Sequence, residues 1–406
     1  MAVRAGLPDS FPLLNGYRAI AAFMVLTTHV AFNTGEILTP VLGPVLGRMD
    51  FGVTLFFLLS GFLLYRPWAT SAMADAPGPR LGTYALRRAA RILPAYWLMV
   101  AFVLLFLPEI QPVRWEAWPV HLGLLHIYIE GFTLEGLTQT WSLATEVAFY
   151  VLLPALAWVA GRRRRGNPSA SARWQLSVLA GCVLVALVFT VLRVWGALGE
   201  SLLIAYWLPG FIDWFALGMA LAVIQVRLQL AGAPRWMTAV QQVARSTPWC
   251  LLIAVGLYVI ATTPLAGPLT FDPAEPNSLV IKHLLYGIIA VFLLLPGFLG
   301  RWGDESWWAR ALGSPIVFYL GTISYGVFLW HLVILRFVQD WLGIPIFGGG
   351  FWIVWPIVVA LSIAVASVSW FTVERPLQAW AHRPRHPNST SAERGVQAQQ
   401  PRQSPQ

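Results

Sequence analysis

The 406 residues are 57% hydrophobic and 11% charged, with 21 tryptophans, a composition no soluble core requires and one that describes a polytopic membrane protein. The formal net charge of +9 does not point to nucleic acid, because the arginines fall in short clusters between apolar segments, where membrane orientation accounts for them. Cys182 and Cys250 sit in or beside apolar segments without a partner motif, so they read as packing residues.

The expected fold is all-α, a bundle of about ten transmembrane helices. The first apolar segment, 15–30, follows a polar stretch holding Arg4 and has no small-residue cleavage site, so it reads as a retained span and not a signal peptide. The others are expected near 51–66, 92–108, 139–160, 176–195, 203–225, 249–263, 280–299, 315–336 and 352–373, several of them short for a bilayer crossing. A further apolar stretch, Trp118 to Ile129, is interrupted by Pro119, His121 and His126 and is left outside as interfacial or re-entrant. Arginines concentrate in alternate loops: Arg66 to Arg91, Arg162 to Arg173, Arg227 to Arg245, Arg301 and Arg310, and Arg375 onward. The intervening loops hold essentially Arg48 and Arg114 among several acids. That alternation predicts both termini in the cytoplasm. Residues 1–375 form the expected membrane domain. Residues 376–406, rich in proline, serine and glutamine toward their end, form an expected disordered cytoplasmic tail.

Ionisable residues inside spans are costly and therefore mark function. In the first span Arg18 and His29 lie eleven positions apart, which on a helix is one face at two depths, about 16 Å apart along the axis. The second span carries Ser60 followed by Gly61, a pattern that suits a close helix contact, and Ser60 has no neighbouring base in sequence to activate it. Arg88 and Arg91 open the third span three residues apart, placed to grip a phosphate between them or simply to face anionic lipid. Glu146 enters the fourth span at a depth similar to that of His29, which makes a histidine its obvious partner. Asp213 lies at mid-depth in the sixth span, with Arg18 the most economical counter-charge. His331 enters the ninth span in the same leaflet as His29 and Glu146. Lys282 and His283 stand near the outer surface, and Glu374 with Arg375 ends the last span.

Together these residues resemble the acyltransferase 3 family of integral membrane O-acyltransferases. The resemblance is carried by the arginine-ten-histidine spacing of Arg18 and His29, FFLLSGF with Ser60 and Gly61, the Arg88-x-x-Arg91 pair, WSLATEVAFY with Glu146 and SYGVFLWH with His331. It covers nearly the whole chain. It implies transfer of an acyl group, commonly acetyl, from cytoplasmic acyl-CoA to a hydroxyl of a sugar, glycolipid or glycosylated product in a multi-pass bacterial plasma membrane protein, with no bound cofactor or metal. Many members carry a second acid after the first in the fourth-span motif, where this chain has Val147. Some relatives add a hydrolase-like domain after the last span; here a short tail follows, so transfer is expected to be completed by the membrane domain or by a separate partner protein.

The expected mechanism has Arg88 and Arg91 on the donor phosphates and His29 as general base or acyl carrier. Glu146 orients His29, and Arg18 lies along the donor route. Ser60, Asp213 and His331 complete the expected substrate-binding set. A rival of another class is a transporter or flippase that moves a polar glycan or small molecule without chemistry.

Overall fold

The computed structural model describes residues 12–163, 165–199, 201–230, 233–268, 275–300 and 307–383. Among these the chain is helical and contains no strand. In order the helices are α1 (Pro12–Thr34), α2 (Leu42–Gly47), α3 (Gly52–Ala74), α4 (Leu81–Phe106), α5 (Ala117–Leu122), α6 (Thr140–Gly161) and α7 (Pro168–Val194). They continue with α8 (Ile212–Gln229), α9 (Arg235–Arg245), α10 (Thr247–Ala261), α11 (Pro276–Leu299), α12 (Trp307–Leu312), α13 (Pro315–Leu342), α14 (Phe351–Ser369) and α15 (Arg375–Ala381).

The ends follow familiar chemistry. Proline occupies the first turn of α7, α10, α11 and α13, where its missing N–H leaves no bond unmade. The Asn167 side chain accepts from the Ala170 amide to cap α7. Gly343, at φ 65°, turns the chain out of α13.

Among the described residues eight helical segments are long and apolar enough to cross a membrane, or nine if α9 and α10, bent by 83°, count as one. The ten-span expectation differs from this at two places. α1 is 23 residues long, but Arg18, Thr27, Thr28, His29 and Asn33 leave it more polar than the other spans. The 249–263 segment is α10, only 15 residues, preceded by the amphipathic α9 lying across it. The 203–225 expectation also changes: Pro209 and Gly210 fall in short 3-10 turns, and the regular helix α8 begins only at Ile212. At the far end a π-turn, Trp370–Glu374, leads into α15, so helix continues beyond residue 375, where the tail was expected to start. Residues 384–406, most of that tail, lie outside the described residues, as do Arg4, Arg164 and Arg301.

α1 is central. It packs on α13, α3 and α14, while α3 packs along α8. The approach is close enough to require glycine: a Cβ on Gly61 would overlap the Phe215 carbonyl, and one on Gly218 would overlap that of Leu58. Small residues let apolar helices gain dispersion contacts where no hydrophobic driving force separates helix from lipid. The 107–139 segment folds in against this bundle and buries His121, His126 and the start of α6 at Thr140.

Candidate active site

Three cavities with shared walls lie in the bundle. The first, narrow at about 50 Å³, is walled by α1, α3, α4, α6 and α13 and lined by Arg18, Ser60, Arg91, Ser142, Glu146, Tyr150, Ser324 and Tyr325 among apolar residues. Glu146 Oε1 accepts from the Ser60 hydroxyl and, at 2.6 Å, from the Tyr150 hydroxyl one turn on. Arg18 and Arg91 lie within electrostatic reach of each other and of Glu146, yet neither donates a hydrogen bond to a described residue. The cavity therefore holds two guanidinium groups against one carboxylate, with the carboxylate kept in place by hydroxyls.

A second cavity, about 360 Å³, is lined by Tyr84, Arg88, Ile92, Val147 and Tyr150 and shares Ile92 and Tyr150 with the first. The expected arginine pair is thus divided. Arg88 faces this second cavity and Arg91 the first, so the two straddle a common wall instead of closing on one point.

The third cavity, about 320 Å³, adjoins the first, and Val53 lines both. It holds His29, Asp50, Thr54, Trp141, Arg193, Tyr206, Trp214, Lys282, His283 and Tyr286. Its polar wall is tied together: Lys282 Nζ meets Asp50 Oδ2 at 2.7 Å, and the Tyr286 hydroxyl donates to Asp50 Oδ1. Arg48, buried, donates from Nε to the Ala261 carbonyl at 2.8 Å and from Nη2 to that of Gly267, which fixes the rim.

His29 and His331 meet through Nδ1 and Nε2 at 3.0 Å. His331 Nδ1 faces the carbonyl oxygens of Phe328 at 2.7 Å and Val327 at 3.2 Å. A carbonyl can only accept, so Nδ1 of His331 carries the proton and its Nε2 is a lone pair when the ring is neutral. The proton between the rings then belongs to His29 Nδ1. His29 Nε2 is left unprotonated, in the form of a base or nucleophile.

The expected site residues are therefore sorted differently from the sequence reading. His29 and His331 come together. Glu146 does not join them; it lies in the adjoining cavity with Arg18, Arg91 and Ser60. The physical reason is that α6 starts inside the bundle, with Thr140 fully buried and Gln139 donating to the Leu329 carbonyl of α13 at 2.8 Å, so counting turns from its end puts Glu146 too shallow. Asp213 pairs with His283, Oδ2 to Nε2 at 2.7 Å, and not with Arg18. The His283 ring stacks on Trp214 at 4.5 Å and 15°. Ser60 and Gly61 serve two neighbours at once: the hydroxyl reaches Glu146 and the glycine meets α8. Sequence reasoning missed Arg193, Tyr206, Tyr286 and Tyr325. For Asp213 and His283 a signal existed, since two ionisable residues within apolar segments are each other's cheapest partners. Among the described residues no three His, Cys, Asp or Glu side chains gather closely enough to ligate a metal.

An array of apolar helices enclosing a histidine pair and arginine-lined cavities defines a multi-pass membrane enzyme, and the comparisons with known proteins give its class. The acyltransferase 3 model, described as an acyltransferase domain, matches residues 12–372. The chain belongs to that family.

Its curated relatives are bacterial. A putative peptidoglycan O-acetyltransferase of Bacillus subtilis (strain 168) is 26% identical over 92% of this chain and 55% of its own length. The peptidoglycan O-acetyltransferase of Listeria monocytogenes (serovar 1/2a) is 24% identical over 90% and 56%. A putative O-acetyltransferase of Staphylococcus aureus (strain COL) is 22% identical over 90% and 57%. The chain thus spans little more than half the length of the curated relatives it matches. No solved structure matches it.

Proposed function

We propose that the chain transfers an acyl group, in the first instance acetyl, from acyl-CoA to a hydroxyl of a carbohydrate or glycosylated acceptor, with His29 as general base. The observation that carries this is the relay from the Phe328 carbonyl through His331 to His29, which leaves His29 Nε2 free to accept a proton. The O-acetyltransferase names of the relatives support acetyl as the group and a peptidoglycan-type glycan as a first acceptor to try.

In this scheme the donor lies on the arginine side. The arginine-rich loops support a cytoplasmic setting for that side, where acyl-CoA is found. Arg88, Arg91 and Arg18 then attract its phosphates through charge-assisted hydrogen bonds. The acyl thioester reaches past Val53 toward His29. His29 Nε2 takes the proton of the acceptor hydroxyl as the oxygen attacks the thioester carbonyl. The carbon–sulfur bond breaks and CoA leaves as the thiolate, which takes up a proton. His331 Nε2, accepting from His29 Nδ1–H, stabilises the charged ring that forms. Glu146 acts in the donor cavity, offsetting the like charges of Arg18 and Arg91.

The test is CoA release by the purified chain in nanodiscs, given acetyl-CoA and cell-wall glycan fragments, beside His29→Ala. Release that needs both the glycan and His29 is the expected result. Wild-type release by His29→Ala would overturn the role of the histidine, and no release with any acyl-CoA donor would overturn acyl transfer from CoA.

A further inference from the structure

Taking acyl transfer at His29 as its base, we propose that the His29-side cavity is the acceptor pocket and that it selects a saccharide carrying a single negative charge, held by Arg193. Three features of the wall lead there. The side chain of Arg193, in the last turn of α7, lines the cavity and makes no hydrogen bond or ion pair with any described residue. The other lining cation, Lys282, is already matched by Asp50 at 2.7 Å, while His283 is engaged by Asp213 through Nε2 at 2.7 Å. Among the lining side chains two cations, Arg193 and Lys282, face one carboxylate, Asp50, and leave room for one anionic group beside Arg193. A guanidinium with free donors suits a carboxylate, because both oxygens can be taken in one plane.

The second feature is aromatic. Trp141 and Tyr206 stand 5.0 Å apart between ring centroids, and Trp214 continues the wall. A pyranose ring has an apolar C–H face that lies against such rings, with its hydroxyls left at the edge. The third is an unsatisfied hydroxyl. Thr54 lines the cavity, is fully buried and has an Oγ1 without a partner. A buried polar atom of this kind is costly unless something donates to it or accepts from it, and a sugar hydroxyl can do either. His29 lines the same cavity, so an acceptor seated there presents a hydroxyl to the base. Asp50, tied to Lys282 and Tyr286, keeps the lysine from taking the anion and leaves that role to Arg193.

The experiment measures binding without acyl donor, so that it stands or falls separately from the chemistry. The full chain in nanodiscs is titrated by calorimetry with an N-acetylated β-1,4 disaccharide bearing one carboxyalkyl ether. The same disaccharide capped as its amide and a phosphorylated disaccharide serve as comparisons. The carboxylated sugar is expected to bind about tenfold or more tighter than the amide, the effect of one charge-assisted contact. Arg193→Gln should bring the ratio near one, and Arg193→Lys should keep most of it, which separates loss of charge from loss of fold. Equal binding of acid and amide, or a preference that survives Arg193→Gln, would overturn the proposal. So would tighter binding of the phosphorylated sugar, or displacement of the acidic sugar by desulfo-CoA, which would make the pocket a donor site. Failure of acyl transfer with intact acid selectivity would instead strike the catalytic scheme alone.

Discussion

The cavities on either side of Val53 contain the same formal charges and use them in opposite ways. On the arginine side Glu146 is held by two hydroxyls, and Arg18 and Arg91 keep their donors clear of every described residue. On the His29 side Asp50 takes Lys282 directly, and among the described lining cations Arg193 alone remains open. A carboxylate bound by hydroxyls offsets charge without occupying a cation, whereas one bound by an ammonium removes it from use. The first arrangement suits a ligand with several phosphates and the second a ligand with one charge. Counting charges would not have separated them; the hydrogen-bond partners do.

Substitutions can test this division, beginning with the largest effect. His29→Ala should lower the rate of transfer by about 10² to 10⁴-fold, the usual contribution of a positioned base. Donor binding, measured by calorimetry, should survive, because His29 lies outside the arginine-lined cavity. Loss of donor binding in that variant would merge the two sites. Next, His331→Ala frees His29 to adopt either tautomer and should reduce kcat by about 10²-fold with both KM values held. A rise in donor KM would show that His331 also serves the other side.

Arg91→Ala should act the other way, raising the donor KM by about 10 to 100-fold, since a hydrogen bond to a charged group contributes about 1.5 to 3 kcal/mol. Its effect on acceptor KM should be negligible. Ser60→Ala removes one of two donors to Glu146 and should cost only a few-fold in kcat/KM, corresponding to about 1 kcal/mol.

The smallest expected effect is a pH response away from both cavities. His121 and His126 stack at 5.0 Å and 17°, with three of their four ring nitrogens unpartnered and buried. Burial pushes His121 down to about 4, and burial with the neighbouring His121 pushes His126 down to about 3, from an ordinary value near 6.5. The opened segment binds protons that the folded one refuses. The contribution to stability is therefore full above about pH 6.5 and is lost as pH falls toward 4 and then 3. Hydrogen exchange over residues 117–139, corrected for intrinsic rate, should quicken from pH 7 to pH 4.5. Unchanged protection would contradict the assignment.

Much of the fold was readable because a bilayer imposes one dimension on a sequence: apolar length gives the helices, and polar or charged residues within or at the ends of spans mark α1, α3, α4, α6, α8 and α13 as site elements. Arg18 and His29 did fall into adjoining cavities along one helix. What depth cannot supply is azimuth and the height at which each helix begins. Glu146 was matched to His29 by depth, but the buried start of α6 moves it to the arginine side. Asp213 was assigned to Arg18, though His283, on a helix brought in beside α8, was the nearer charge. The Arg193, Tyr206 and Lys282 wall is assembled from helix ends and a 3-10 turn that no hydropathy pattern joins.

The glycine contacts between α3 and α8 have a mechanical consequence. Gly61 and Gly218 bring the two backbones together, Gly52 sets α3 against the Ala21 carbonyl of α1, and Gly321 sets α13 against that of Asn15. A block stitched in this way has no slip plane through its centre. Rocking one half against the other, the motion by which carriers expose a site to alternate sides, would have to pull these backbones apart. In the proposed scheme, passage at Val53 then calls on side-chain rotation and the flexibility of the ligand, motions of nanoseconds, without parting these backbones.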